Sequence, residues 1–359
     1  MRKLFLLITI SFIAYQSFSQ GCVAIRSNGG TCTMTGASHD ANQDNWIFST
    51  NYRYFRSYKH FVGTVEQKQR VANGTEVVNH VSSFDLDLVR VFNPRWSLGV
   101  FVPVSSNTRS SLYEHDGIHR YSTSSFGIGD VRFAAYYWLI DPAKQSKINI
   151  QAGLGIKLPT GDYKYQDYFY KTETKKILGP VDQSIQLGDG GTGITMEANA
   201  FYNVSRSFGI YANGYYLLNP REQNGVSTAR GGVASDSAIF YGTDVMSVPD
   251  QYMARAGADF KLSGFTFSAG LRMECVPAHD LVGGSNGFRR PGYVLSAEPV
   301  VSYKHNKMQL YVSVPYAIQR NRTQSVSDIM KTQRTGIYTQ GDAAFADYTV
   351  NVGISFSLK

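Results

Sequence analysis

A stretch rich in histidine and acid is the first group of residues in this sequence whose types and spacing could support chemistry. EHDGIHR places His115 and His119 four positions apart, with Glu114 and Asp116 on either side of the first histidine. Imidazole and carboxylate groups are common metal ligands, so a metal site in a loop is one interpretation. The spacing fixes no third ligand, however, and polar loops are common. We therefore predict no metal and no other cofactor.

Ser285 is a second candidate, because it lies in GGSNG (283–287), which resembles the serine motif of outer-membrane phospholipases. A serine hydroxyl becomes a nucleophile only when a nearby base accepts its proton. That family places a histidine two residues before the serine, whereas this sequence has Gly283 there and His279 six residues away. Ordinary turn chemistry accounts for Ser-Asn-Gly as well. We predict that the protein is not an enzyme, and lipolysis at Ser285 remains the weakest alternative.

The N-terminus predicts export from the cytoplasm. MRKLFLLITISFIAYQSFSQ has a short basic head, an apolar run from Leu4 to Ala14 and small residues before Gln20. This arrangement is typical of a secretory signal peptide, so residues 1–19 are expected to be removed before the protein folds.

Two cysteines follow the predicted cleavage point. Cys22 and Cys32 would meet an oxidising periplasm, where a small disulfide loop is expected and would stabilise by roughly 2–3 kcal/mol. A lipidated Cys22 is a minor alternative, because the three residues before it, Ser-Gln-Gly, lack the aliphatic side chain expected three positions before a lipidated cysteine. We interpret residues 20–43 as an N-terminal segment that either faces the periplasm or enters the lumen as a plug.

The amino-acid composition favours β-structure in surroundings other than bulk water. Only 17% of the residues are charged, against about 25% in a typical soluble domain, whereas tyrosine (24), phenylalanine (21) and glycine (34) are abundant. After the signal peptide no run of 18 apolar residues predicts a transmembrane helix. No cluster of lysine and arginine indicates a nucleic-acid partner.

Alternation of polar and apolar residues dominates residues 44–359. The lengths of the alternating segments suit tilted strands that cross a bilayer. We predict twelve strands: Asn45–Tyr58, Ser83–Phe92, Trp96–Ser105, Ser125–Ile140, Lys147–Pro159, Thr192–Val204, Phe208–Asn219, Pro249–Leu262, Phe265–Val276, Tyr293–Tyr303, Met308–Arg320 and Ala344–Leu358.

The two faces of these strands differ in charge. One parity is apolar except for Arg90, which lies beside the NPR turn, and the opposite parity carries the charges. A charge on the lipid face near the midplane costs about 2–4 kcal/mol, so this sorting fits a wet lumen inside a lipid-facing barrel. For any single charged residue, we favour a structural role, in which it pairs with another charge and stiffens the wall, over a role in the selectivity of the lumen. The lumen-lining candidates are Asp85, Asp87, Asp130, Arg132, Lys157, Glu197, Arg255, Asp259, Arg272, Glu274 and Glu298.

The connections alternate in length as well. Five are tight (NPR, DPAKQS, SRS, SG and KHNK), and six are long and polar. Short turns at one end and long loops at the other are typical of outer-membrane barrels. The final strand, ADYTVNVGISFSLK, is expected to pair with the first and close the ring, because lipid does not tolerate an open edge. The predicted fold is therefore an all-β, 12-stranded antiparallel transmembrane β-barrel of the outer-membrane type, with short periplasmic turns and long extracellular loops.

Three stretches resemble a known barrel family. FGIGDVRFAAYYWL (126–139), AGLGIKLPTGDY (152–163) and IQLGDGGTGITMEANAFYNV (185–204) are similar to the outer-membrane family named after the phenol meta-cleavage degradation pathway. Where that family often has a Gly-Ser-Gly run followed by Trp-Asp, this chain differs at 190–195. The resemblance implies a passive channel or transporter for small, hydrophobic or aromatic molecules, and it assigns no substrate residues.

The sequence thus predicts a monomer in the outer membrane of a Gram-negative cell. Its partners would be outer-membrane lipid and a small solute of unknown identity. A barrel that does not transport, and serves as a structural anchor or displays its loops, is the main alternative.

Overall fold

The structure is a computed structural model that describes residues 45–144 and 147–358. The predicted signal peptide (1–19) and the segment 20–43 lie outside the described residues. The disulfide between Cys22 and Cys32 lies outside them too and stays a prediction.

Strands make up most of the described chain. They are β1 (Asn45–Val62), β2 (Val65–Glu66), β3 (Val78–Val91), β4 (Trp96–Ser111), β5 (Tyr121–Ile128), β6 (Arg132–Trp138), β7 (Ile148–Lys157), β8 (Gln166–Tyr170), β9 (Lys176–Pro180), β10 (Gly193–Asn203), β11 (Phe208–Leu218), β12 (Gln223–Ser227), β13 (Val245–Ser247), β14 (Gln251–Leu262), β15 (Phe265–Val276), β16 (Gly292–His305), β17 (Met308–Ser313), β18 (Tyr316–Arg322) and β19 (Ala343–Leu358). Short helices α1 (Lys68–Ala72), α2 (Asp236–Phe240) and α3 (Val326–Thr335) lie in the connections.

One antiparallel sheet closes on itself. Its order runs β1, β3, β4, β5 with β6, β7, β10, β11, β14, β15, β16, β17 with β18, and β19, which returns to β1. The closing pair joins Trp46 to Leu358 and continues to Phe61 and Ala343, with bulges near Ser57. Because β5/β6 and β17/β18 are halves of two interrupted strands, the described residues form a twelve-stranded barrel, and the predicted fold is confirmed.

The interruption between β5 and β6 is a bulge opposite a proline. Between the pairs Val104–Ile128 and Phe101–Arg132, β4 contributes two residues and its partner contributes three. Pro103 of β4 lies in this gap and cannot donate a ladder hydrogen bond, which is why the extra residue is tolerated there. The inward face changes from odd-numbered residues in β5 to even-numbered residues in β6.

The interruption between β17 and β18 also lies between prolines. Pro315 separates the two strands, and the carbonyl of Pro299 on β16 accepts a hydrogen bond from Val314 N–H at 3.2 Å. Neither proline has an N–H group to complete the ladder. The prediction of unbroken strands over Ser125–Ile140 and Met308–Arg320 was therefore wrong.

The polarity of the barrel is the reverse of that of a soluble protein. Exposed positions include many large apolar side chains, such as Leu154 (62% exposed) and Leu271 (52%), whereas Arg255 (3%) and Glu298 (1%) are buried. An apolar exterior with charges inside fits a barrel surrounded by lipid. Among the helices of the described residues, none is long and apolar enough to cross a membrane.

The two ends of the barrel have different connections. The turn between β14 and β15 contains only Ser263 and Gly264, both with positive φ (48° and 86°), as a tight hairpin requires. The opposite end carries the long loops, which contain β8 with β9, β12 with β13 and the three helices. By the pattern of this fold, the short turns face the periplasm and the long loops face the exterior.

Candidate functional site

The first charged cluster of the lumen lies on β14, β15 and β16. Arg255 and Arg272 are direct neighbours across β14 and β15, an arrangement in which like charges repel. Glu298 on β16 offsets the repulsion, with Oε1 at 3.7 Å from Arg255 Nη1 and 3.4 Å from Arg272 Nη1. Glu274 takes a second contact from Arg272 at 2.8 Å, and Arg255 Nε donates to Asn213 Oδ1 at 2.8 Å. Four of the predicted lumen residues therefore form one buried network.

The second cluster joins β6 to β10 across β7. Arg132 forms an ion pair with Glu197, and the hydroxyl of Tyr136 donates to the same carboxylate at 3.0 Å. The strand between them contributes Gly153, where a Cβ atom would lie 2.8 Å from the Tyr136 ring. Only glycine leaves room for the two side chains to meet over β7. The Arg132 guanidinium also lies 3.9 Å from the Phe101 ring centroid, a cation–π distance.

Asp130 and Lys157 are joined at the interruption of the wall. Asp130 lies in the bulge between β5 and β6, and its carboxylate accepts hydrogen bonds from Gly161 N–H (3.0 Å) and Asp189 N–H (3.1 Å). Lys157, at the extracellular end of β7, lies 3.5 Å from Asp130 and forms a closer ion pair with Asp189. These contacts fasten the loop after β7 to the wall, which is a structural role for both predicted residues.

The remaining candidates are three aspartates, and one of them, Asp87, lies within electrostatic reach of Arg132 and Glu197 in the second cluster. Asp85 on β3 accepts a hydrogen bond from Asn51 Nδ2 at 3.3 Å, and Asp87 occupies the next inward position of β3. Asp259 lies toward the periplasmic end of β14, with Lys261 Nζ at 3.6 Å. The structure therefore spreads the predicted lumen residues over several levels of the barrel.

Tyrosines of the inward face were not among the candidates drawn from sequence. The hydroxyl of Tyr311 on β17 reaches across β19 and donates to Asn51 Oδ1 on β1 at 2.6 Å. Gly353 of β19 lies between them, and a Cβ atom there would be 2.1 Å from the Tyr311 ring. Tyr211 and Tyr215 also point inward and are buried. The alternation that located the charges could have located these tyrosines, because they share the inward parity.

A network of ion pairs holds the extracellular loops over the barrel. We call Arg109, Glu114, Asp182, Arg230 and Arg290 the cover network. Arg109 contacts Glu114 at 2.8 Å and Asp182 at 3.5 Å, and Arg290 contacts Asp182 at 2.5 Å. Arg230 adds a 2.9 Å contact to Glu114. These residues come from four different extracellular connections or their flanking strands, so the network ties those connections together.

The carboxylates of the cover network are held in their charged form. Burial raises the pKa of Asp182, but the guanidinium groups of Arg109 and Arg290 outweigh burial and hold that pKa well below its usual range. Burial acts to raise the pKa of Glu114, but the charge and hydrogen bonds of Arg109, together with the charge of Arg230, lower that pKa on balance. The network therefore keeps its charges at neutral and mildly acidic pH.

Apolar side chains of the same extracellular connections are buried as well. The loop after β7 contributes Phe169, Val181, Ile185 and Leu187, and Val248 comes from the loop before β14; all are buried. Together with the ion pairs, this packing makes the loops an ordered cover over the mouth of the barrel.

The other residues singled out from sequence have structural partners. His115 Nδ1 accepts a hydrogen bond from Tyr170 N–H at 3.1 Å, while His119 Nδ1 lies 2.8 Å from Asp116, so the two histidines have different partners. Ser285 Oγ accepts a hydrogen bond from Asp280 N–H at 2.8 Å and so supports a turn. In the part of the chain that the structure describes, no group of three or more metal-ligating side chains is assembled.

Comparison with known proteins shows a likeness of structure. No family model and no curated protein matches the sequence. An outer membrane channel from Pseudomonas putida F1 is 11% identical over 90% of this chain and 98% of its own, with a TM-score of 0.61. The translocator domain of the autotransporter NalP from Neisseria meningitidis is 12% identical (90% and 92% covered, TM-score 0.48). The monoaromatic hydrocarbon channel CymD is 9% identical (94% and 94% covered, TM-score 0.40). The first of these likenesses supports a barrel of the outer-membrane type.

Proposed function

We propose that this protein is a passive channel of a Gram-negative outer membrane that admits small molecules. The observation that carries the proposal is the inward face of the closed barrel, which is charged and aromatic while the outward face is apolar. Because the first and last strands of the sheet pair with each other, the barrel needs no second chain to close it, and the protein would work as a monomer. The similar structure from Pseudomonas putida F1 is itself described as an outer membrane channel.

The lumen chemistry favours a solute with an aromatic ring and a polar or anionic group. Arg132 offers hydrogen-bond donors beside the rings of Phe101 and Tyr136. Guanidinium groups bind carboxylates and phenolic oxygens, and the neighbouring rings can pack against an aromatic solute. The resemblance to the meta-cleavage family points to the same class of molecule.

Solute entry into proteoliposomes tests the channel. We expect arabinose, phenol and benzoate to enter vesicles that contain the protein faster than protein-free vesicles. Arg255→Gln should lower the entry of benzoate more than that of arabinose, because it removes a cation from the lumen. Arg206→Gln is the matched control, since Arg206 is exposed in the periplasmic turn after β10.

Three results would decide among the alternatives. Equal swelling with and without protein for every solute, together with no conductance in planar bilayers, would refute the channel and leave a structural or loop-display barrel. Phospholipid hydrolysis that is lost in Ser285→Ala would instead support the lipolytic alternative. An equal effect of Arg255→Gln and Arg206→Gln on benzoate would refute the role given to the lumen arginines.

A further inference from the structure

Outward-facing polar side chains stand above the apolar band on one side of the barrel. On β1, β3, β4 and β5 the band ends near the row Tyr52, Phe84, Val104 and Ile128, which are neighbours across the sheet. Four residues further along each strand toward the exterior, the same register joins Arg56, His80, Thr108 and Ser124. At about 3.3 Å per residue along a tilted strand, this second row lies roughly 10 Å above the first. That height corresponds to the headgroups of the outer leaflet.

Two cations of this region lie beside one tyrosine, and a third, Arg320, reaches the group through Asp347 from its place beside the Phe61 ring. The Arg56 guanidinium lies 4.3 Å from the Tyr58 ring centroid, and Lys59 Nζ lies 5.7 Å from the same centroid. Asp347 accepts contacts from Lys59 (2.9 Å), Arg320 (2.7 Å) and the Tyr58 hydroxyl (3.0 Å). We call Arg56, Tyr58, Lys59, Arg320 and Asp347, together with His80, the cationic patch.

The cationic patch has more positive than negative charge. Arg56, Lys59 and Arg320 supply three cations against one carboxylate, Asp347. The excess remains when Glu66 on β2, which acts electrostatically on Lys59, is added to the count. Arg56 is exposed, and none of the ion pairs found among the described residues includes it. Arg56 is therefore available to an anion from outside the protein.

The patch ends at a defined edge, and aromatic rings lie next to its charges. His80 is exposed, its Nδ1 lies 2.8 Å from the Tyr54 hydroxyl, and the two rings are stacked. At the far end of the row, the backbone N–H and hydroxyl of Ser124 are both bonded to Asp167. The cations are thus concentrated near β1, with aromatic rings directly below them.

We propose that the cationic patch binds the phosphorylated sugar headgroup of an outer-leaflet glycolipid. A phosphate monoester carries about −1.5 to −2 charges at pH 7, which complements the excess of cations. Arginine and lysine bind phosphate oxygens through short, charge-assisted hydrogen bonds. The apolar row below would contact the acyl chains, and interfacial tyrosines suit the boundary between chains and headgroups. A free anion would use the cations but not the apolar row.

Binding of lipid A to the detergent-solubilised protein tests this site. Binding of diphosphorylated lipid A, of the same lipid after removal of its phosphates, and of inorganic phosphate would each be measured by native mass spectrometry and by the shift in Tm. We expect the diphosphorylated lipid to bind, and Arg56→Gln to weaken its binding about tenfold, as for loss of one charge-assisted contact. Arg56→Lys should retain most of the binding. Arg206→Gln, at the periplasmic end, is the matched control and should bind like the natural protein.

The outcomes distinguish a lipid site from a site for small anions and from unspecific contact with acyl chains. Equal binding of the lipid without phosphates would overturn the proposal, as would an Arg56→Gln protein that is correctly folded and binds normally. Displacement of the lipid by inorganic phosphate at equal concentration would show a small-anion site only, and would also overturn it. Heat-modifiable migration in gels verifies folding, and should Arg56→Gln fail to fold, the comparison of lipids on the natural protein still decides the question.

Discussion

Replacing Glu298 by glutamine would remove one negative charge from the middle of the barrel at nearly constant side-chain size. Glu298 Oε1 lies 3.4 Å from Arg272 and 3.7 Å from Arg255, which are themselves direct neighbours across two strands. The substitution would therefore leave two buried guanidinium groups side by side, with Glu274 as the remaining carboxylate bonded to Arg272.

The size of the effect follows from these distances. At an effective dielectric constant of about 20, each contact corresponds to roughly 4–5 kcal/mol of attraction. Part of that attraction is offset, because the uncharged side chain no longer has to be desolvated. Removing one partner of a buried ion pair typically costs about 3–5 kcal/mol, and we expect the free energy of unfolding of Glu298→Gln to fall by that amount.

Two measurements check this expectation. Urea titration of the protein in lipid vesicles should show a lower unfolding midpoint, and the reversal potential in a KCl gradient should shift toward anions. Glu173→Gln is the matched control, because Glu173 is largely exposed in a loop. Adding Arg272→Gln to Glu298→Gln should recover part of the lost stability. Unchanged stability and unchanged ion preference in Glu298→Gln would refute our description of this network.

Two further predictions concern the cover network and the wall. Asp182→Asn keeps the shape of the side chain but removes the charge that pairs with Arg290. The loop after β7 should therefore open about a hundredfold more often. Trypsin cleavage within residues 160–191 measures this opening. Because the pKa of Asp182 is lowered, its contribution is complete above about pH 5 and is lost as the pH falls from there through the lowered pKa. Cleavage that rises between pH 7 and pH 5 would contradict this. Gly353→Ala should destabilise the barrel by about 1–3 kcal/mol, because the new methyl group would overlap the Tyr311 ring. Tyr311→Ala in the same chain should remove most of that additional cost, and a fully additive effect on the urea midpoint would show that the overlap is not the cause.

Parity is the reason that much of the fold and part of the candidate site could be predicted from sequence. A strand turns successive side chains to opposite faces, so one apolar row and one charged row fix which residues point inward. Parity alone predicts the inward positions of Arg255, Arg272 and Glu298. Parity does not give the distance between side chains of different strands. The contact of Arg132 with Glu197 across Gly153 therefore could not be predicted, because it depends on the register of three strands.

The interrupted strands and the cover network differ in how far sequence could reveal them. Pro103, Pro299 and Pro315 were visible signals against unbroken central strands, since proline cannot donate to the ladder. Asp130 is one of the three residues in the bulge opposite Pro103, and the parity of the inward-facing residues changes across that bulge. The cover network joins loops that are distant in sequence, and loop sequences carry no periodicity from which such contacts could be inferred.

The seam between β1 and β19 has a consequence for how the protein is made. The strands that meet there come from opposite ends of the described chain, so this pairing has the largest loop-closure entropy in the sheet and is expected to form last. Until it forms, the growing sheet presents two unpaired edges that can aggregate or pair with another protein. Substitutions in the seam should therefore slow assembly in the membrane more than they weaken the finished barrel, and a cell would need a catalyst that shields or templates those edges.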